Sequence, residues 1–111
     1  MKKTMIKHSE DNVAIALTGI QKGDKVIVMS KSNEAVLELT AKTNIPYGNK
    51  IAINKINGND HIYKDHYKIG TAIQTIEAGE LVHVHNVKSN RINFPESIIA
   101  EIISQMDYSI E

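Results

Sequence analysis

Ile76-Glu77-Ala78-Gly79-Glu80-Leu81-Val82-His83-Val84-His85-Asn86-Val87 is the stretch whose grammar decides the fold of this chain. Glycine supplies the positive φ that tight turns often need, and the β-branched residues that follow favour an extended backbone, so it reads as a turn feeding a strand over Leu81 to Val87. The same grammar occurs twice upstream, as Ile20-Gln21-Lys22-Gly23-Asp24 and Ile45-Pro46-Tyr47-Gly48-Asn49. Each copy is an isoleucine, two variable residues, a glycine and a small polar or acidic residue, and each runs into an apolar stretch. These predict strands over Lys25 to Ser30 and Lys50 to Asn54. A fourth turn, Asn57-Gly58-Asn59-Asp60, departs from the pattern but leads into His61-Ile62-Tyr63-Lys64. Val13 to Leu17 and Ala35 to Thr40 are further strand candidates, although both also suit short helices. Up to about Val87 the expectation is an all-β unit of short strands and glycine turns.

From Asn93 the pattern changes. Ile98, Ile99, Ile102, Ile103 and Met106 recur at helical spacing beside Glu96, Glu101, Ser104 and Gln105, which predicts one amphipathic helix with Asn93 near its cap and Pro95 in its first turn. Its apolar stripe packs on the β unit or on another subunit. Lys88-Ser89-Asn90-Arg91 is a short connection, so the expected organisation is a β domain over residues 1–92 and a C-terminal helix and tail over 93–111.

The 111 residues fit one domain, and a hydrophobic share of 41% supports a core. Thirteen basic and thirteen acidic residues cancel, leaving no electrostatic footprint for nucleic acid or an anionic membrane. The absence of cysteine excludes disulfides, thiolate zinc sites and a cysteine nucleophile, and suits a reducing compartment. Met1-Lys2-Lys3-Thr4-Met5-Ile6-Lys7 lacks the apolar stretch of a signal peptide, and no run approaches the roughly 18 apolar residues of a membrane span. A cytoplasmic protein with neither a nucleic-acid nor a membrane partner is the expectation.

On a continuous strand His83 and His85 would face the same way. Two neighbouring imidazoles can share a metal or an acidic substrate; alternatively they are polar residues on a solvated face. His8 and Asp11 form a second candidate, the carboxylate orienting the imidazole, unless Asp11 or Asn12 simply caps a turn. Lys50 follows a proline-glycine turn, where its ammonium could meet a substrate carboxylate or stay solvated. His61 and His66, five apart, match neither a helical nor a strand metal pair and receive no site. Lys68-Ile69-Gly70-Thr71-Ala72 has no phosphate-loop pattern, and neither a Gly-x-Ser-x-Gly elbow nor a His-Glu-x-x-His motif occurs.

Taken in order, His8-x-x-Asp11-Asn12-Val13-Ala14, Ile45-Pro46-x-Gly48-x-Lys50-Ile51-Ala52, Ile69-Gly70 and Ala78-Gly79-Glu80-x-Val82-His83-x-His85-Asn86-Val87 resemble the N-terminal SAF domain of altronate and galactarate dehydratases. That domain is also the small subunit of sulfolactate sulfo-lyase. The resemblance runs from about His8 to Val87. It implies a β-clip fold, a small barrel of short strands, and a hydro-lyase whose catalytic bulk lies in a separate large subunit, so that this chain is not active alone. It further implies a sugar-acid or sulfo-acid substrate and a divalent metal, iron by family habit, shared with that subunit.

On this reading His83 and His85 are metal ligands or acid/base groups, His8 and Asp11 a supporting catalytic pair, and Lys50 the carboxylate anchor. Asn12, Asn49 and Asn86 join Lys50 in contacting substrate. Where the family typically has Gly-His-Lys, this chain has Gly48-Asn49-Lys50, and asparagine exchanges no proton near neutral pH. The alternatives are a sulfolactate sulfo-lyase small subunit and a non-catalytic module that binds a carbohydrate acid or a protein. The C-terminal helix would dock the large subunit or mediate homo-oligomerisation.

Overall fold

Four turns of one kind form, not three. The computed structural model describes residues 1–83 and 85–89. Gly23, Gly48 and Gly79 have φ of 94°, 81° and 94°, and Asn59 stands in the same place of the fourth copy with φ 73°. Ile56-Asn57-Gly58-Asn59-Asp60 is therefore a true repeat, asparagine being one of the few side chains that tolerates the left-handed region. In each copy the residue after the positive φ donates its N–H back across the turn: Asp24 to Gln21 (2.9 Å), Asn49 to Pro46 (3.1 Å), Asp60 to Asn57 (3.0 Å) and Glu80 to Glu77 (3.1 Å). The leading isoleucines then pair reciprocally through their backbones, Ile20 with Ile45 and Ile56 with Ile76.

Nine strands connect these turns: β1 (Lys2–Met5), β2 (Val13–Ala16), β3 (Lys25–Met29), β4 (Ala35–Thr40), β5 (Lys50–Ala52), β6 (His61–Lys64), β7 (Tyr67–Ala72), β8 (Leu81–Val82) and β9 (Val87–Ser89). They form a six-stranded sheet in the order β4-β3-β1-β2-β5-β8 and a three-stranded sheet in the order β6-β7-β9. All pairs are antiparallel except β1 with β3. Two apolar clusters result, one holding Ile20 and Ile45 with Val26, Val28 and Ile51, the other holding Ile56 and Ile76 with Ile62 and Ala72. β2, β5 and β8 lie between them and send alternate side chains to each: Val13, Ala52 and Val82 one way, Ala14, Ile51 and Leu81 the other. Strands buried on both faces need continuous apolar runs, which is what these short segments carry.

The mostly β class holds, but the sheets do not close into the expected barrel. β4 and β8 remain the two edges of the larger sheet because β8 is only two residues long before the chain turns away. The expected strand over Leu81 to Val87 is thus split into β8, a turn and β9. The helix predicted from Asn93 lies outside the described residues. β1 and β7 were not foreseen: Lys2–Met5 reads as a polar basic start, yet Thr4 is fully buried there, its hydroxyl donating to the Ile27 carbonyl at 3.1 Å.

Gly70 in β7 marks a close approach between strands. A Cβ there would come within 2.6 Å of Val87 Cγ1 and 2.8 Å of the Lys88 carbonyl oxygen in β9. Gly70→Ala is expected to lower stability by about 2 kcal/mol, an overpacking cost, read as a drop in the urea midpoint at unchanged m-value. An unchanged midpoint would show that β9 can move aside.

Candidate functional site

Lys50 opens β5 directly opposite Val82 of β8, which places it beside His83. After Val82 the chain bends, and the Asn86 and Val87 N–H groups both donate to the His83 carbonyl, at 3.0 and 3.1 Å. Asn86, fully buried, staples this turn: its Oδ1 accepts the His83 N–H at 2.9 Å and its Nδ2 donates to the Leu81 carbonyl at 2.7 Å. Asn86 therefore spends its amide on backbone rather than facing a substrate. His83 and His85 are not on one strand face, as alternation had suggested: His83 opens the turn and His85 lies within it.

The turn still gathers them with Lys50. Burial, then the charge of Lys50, hold His83 below its ordinary 6.5. Burial, then His83, push His85 down to about 4. Lys50 is itself lowered from 10.5 by burial and then by the charge of Lys64, a residue the sequence reading had not singled out. The result is a half-buried cluster of one ammonium and two imidazoles that stay neutral at neutral pH, with a second ammonium in electrostatic reach.

Asp11 does something other than orient the His8 ring. Its carboxylate, 4% exposed, accepts four backbone N–H groups: those of Lys7 (3.2 Å), His8 (3.0 Å) and Asp65 (2.9 Å) at Oδ2 and that of His66 (3.0 Å) at Oδ1. Asp65 and His66 form the β6–β7 turn with φ of 52° and 71°. Two successive donors in such a turn make an anion nest, and Asp11 fills it. Asn12 extends the latch, donating from Nδ2 to the His61 carbonyl at 2.9 Å and accepting the Tyr63 N–H at 2.8 Å. Asn49 Nδ2 lies 3.3 Å from the carbonyls of both Pro46 and Tyr47 and steadies the turn before Lys50. His8 packs on His66, ring centroids 4.5 Å apart. His66 was passed over because the contact spans 58 positions of sequence, His8 to His66, and no local spacing signals it.

Residues 2–90 match the family model described as the altronate/galactarate dehydratase SAF domain. The chain belongs to that family. This SAF domain is 44% identical over 89 residues to altronate dehydratase of Bacillus subtilis (strain 168), covering 79% of the chain but 17% of that relative. It is 31% identical over 88 residues to the (2R)-sulfolactate sulfo-lyase subunit alpha of Chromohalobacter salexigens, covering 78% of the chain and 94% of the relative. A second sulfo-lyase subunit alpha, from Paracoccus pantotrophus, is 38% identical over 60 residues, 54% of the chain and 90% of the relative. The domain thus spans about a sixth of one kind of relative and nearly all of the other. Among the described residues no helix is long and apolar enough to cross a membrane.

The imidazole pair does not make a metal centre by itself. Among the described residues no group of three or more His, Asp or Glu could hold an ion, and the Lys50 charge bearing on His83 opposes a dication there. The cluster instead suits an anion, with neutral imidazoles as donors or as a base.

The lowered imidazoles have a consequence for stability. Well above 6.5 neither state of the protein is protonated at residue 85; from around 6.5 down to about 4 the unfolded chain takes a proton that the folded one refuses. Stability is therefore lost as the pH falls through that window, with His83 adding in the same direction. Partial exposure limits the effect to about 1–2 kcal/mol. His85→Gln is expected to reduce the stability loss between about pH 7 and pH 4.5, measured by urea unfolding at both values. Equal losses in the two proteins would contradict a neutral, desolvated His85.

Proposed function

We propose that this SAF domain is the small subunit of a hydro-lyase acting on a sugar acid such as altronate or galactarate, completing an active site on a separate large chain. The observation that carries the reading is the half-buried Lys50, His83 and His85 cluster. Dehydration of a hydroxy acid breaks the C–H bond next to the carboxylate, forms a carbon-carbon double bond and expels the neighbouring hydroxyl as water. Lys50 anchors the carboxylate and stabilises the charge that grows on it. His83, neutral at pH 7, takes the proton; His85 donates a hydrogen bond or serves the leaving group. A divalent metal, iron by resemblance, would give Lewis-acid help to the departing hydroxyl, its ligands coming mainly from the large chain.

The similarity to altronate dehydratase over this domain supports the substrate class. The test is reconstitution: the domain, a large altronate-dehydratase-type chain and ferrous iron are mixed, and dehydration of altronate and galactarate is followed. Turnover is expected only with both chains present. A large chain whose activity is indifferent to this domain overturns the reading.

A second reading is supported by the similarity to sulfo-lyase alpha subunits. The domain corresponds to 94% of a sulfo-lyase subunit alpha, so the same cluster could serve the departure of sulfite from (2R)-sulfolactate. Sulfite release by the reconstituted pair, with no dehydration of sugar acids, would select it.

A further inference from the structure

The three-stranded sheet has one packed face and one open face. Ile62 and Ala72 are buried in the second apolar cluster and Val87 packs against it, which fixes the inner face. Cross-strand partners share a face, so the register puts His61, Thr71 and Lys88 in one outer row and Tyr63 with Lys68 in the next. His61 and Tyr63 meet edge to face with centroids 6.3 Å apart, as side chains two positions apart on one face should. Apart from the half-buried Thr71, all of these residues are exposed. The three strands carry Lys64, Lys68 and Lys88 and no carboxylate.

β9 delivers the rest of the chain to this face. Ser89 pairs with Gly70, and because β9 runs antiparallel to β7 the backbone is then heading for Lys68. Residues 90–92 span at most about 10 Å, so whatever begins at Asn93 begins beside the Tyr63 and Lys68 row. Residues 92–111 contain Glu96, Glu101, Asp107 and Glu111 and no Lys, Arg or His, the charge opposite to that of the sheet. On the helix predicted from the sequence, Glu96 and Asp107 border the isoleucine stripe on one side and Glu101 on the other. A helix over residues 96–107 would be about 18 Å long, against about 20 Å for the six-residue β7. The family match ends at residue 90, so this segment is an addition to the shared domain. We propose that residues 93–111 fold back over the open face of β6, β7 and β9, the apolar stripe on Tyr63 and the lysine stems and the carboxylates against Lys68 and Lys88. The segment is then a cover for the chain's own second sheet, and a large chain would have to dock elsewhere.

The test uses the full 111-residue chain, whose lack of cysteine lets Ser104→Cys carry a single nitroxide label off the predicted stripe. Broadening of the nitrogen-15 amide signals is expected to be strongest at Tyr63, Lys68, Thr71 and Lys88 and weaker at Val36 and Leu37 of β4. Reversing the two exposed lysines together, Lys68→Glu with Lys88→Glu, should lower the amide-exchange protection of Ile102 and Ile103 roughly fivefold, and adding Glu96→Lys with Glu101→Lys should restore it. A broadening maximum on any other surface, or none at all, overturns the proposal, as does protection indifferent to the lysine reversal. Mixing nitroxide-labelled, unenriched chain with enriched, unlabelled chain tests for a second copy. The same broadening in that mixture would mean that a neighbour's segment covers the sheet, and would overturn the fold-back.

Discussion

Asp11→Ala is expected to cost about 3–5 kcal/mol, the largest single-residue loss of stability in this domain. One carboxylate accepts four backbone N–H groups, two from the loop after β1 and two from the β6–β7 turn more than fifty residues away. Hydrogen bonds to a charged acceptor contribute about 1.5–3 kcal/mol each when buried, and the partial exposure of this loop lets water recover some of that. Asp65 and His66 also lose the acceptor that compensates their positive φ, so the turn itself should loosen. Because domains of this size hold only about 5–15 kcal/mol in reserve, the variant should approach unfolding at ambient temperature. Asp11→Asn keeps one oxygen acceptor but points an amide N–H at a backbone N–H, and should lose about half as much. Urea midpoints order the three proteins, and amide exchange at Asp65 and His66 locates the damage. A loss below about 1 kcal/mol in Asp11→Ala would show that the latch is ornamental.

The same residue shows where sequence reading stops. Asp11 and Asn12 were legible as local capping types, and so they are, but their main partners at His61, Tyr63, Asp65 and His66 are long-range. Side-chain chemistry predicts that a buried carboxylate will collect donors; it does not say which distant turn supplies them. The Ile-x-x-Gly turns were legible because glycine advertises positive φ, and the fourth read as a turn outside the pattern because Asn59 does the same with a side chain. β1 was invisible for the opposite reason: a central strand with one buried threonine among exposed lysines has no apolar alternation to read. His83 and His85 were read as neighbours on one strand face, which is the wrong geometry. Alternation assumed the strand ran on to Val87, whereas Asn86, an ordinary polar residue in the sequence, turns the chain with both ends of its amide.

Lys50→Met is expected to raise stability while lowering function, and the opposed signs are what make it decisive. Lys50 is half-buried, and the charges bearing on it and its neighbour are all positive: Lys64 lowers its pKa, and it in turn lowers that of His83. Among the described residues the single ion pair is Lys31 with Asp65, and none of their carboxylates pairs with Lys50. A fold has no structural reason to desolvate an unpaired ammonium, whereas a site that must receive a carboxylate has one. Methionine keeps the apolar stem and removes the charge. Stability should rise by about 1 kcal/mol, and the His83 pKa should climb back towards its ordinary value because the Lys50 contribution to its depression is gone. Binding or turnover of a hydroxy-acid anion should fall by about 10- to 100-fold, the loss of one charge-assisted hydrogen bond. Lys50→Arg separates charge from geometry: it should keep the lowered His83 but place a broader guanidinium where an ammonium fitted. A Lys50→Met protein that is less stable yet binds galactarate as well as the wild type would make Lys50 a structural residue and remove the anchor on which the proposed elimination depends.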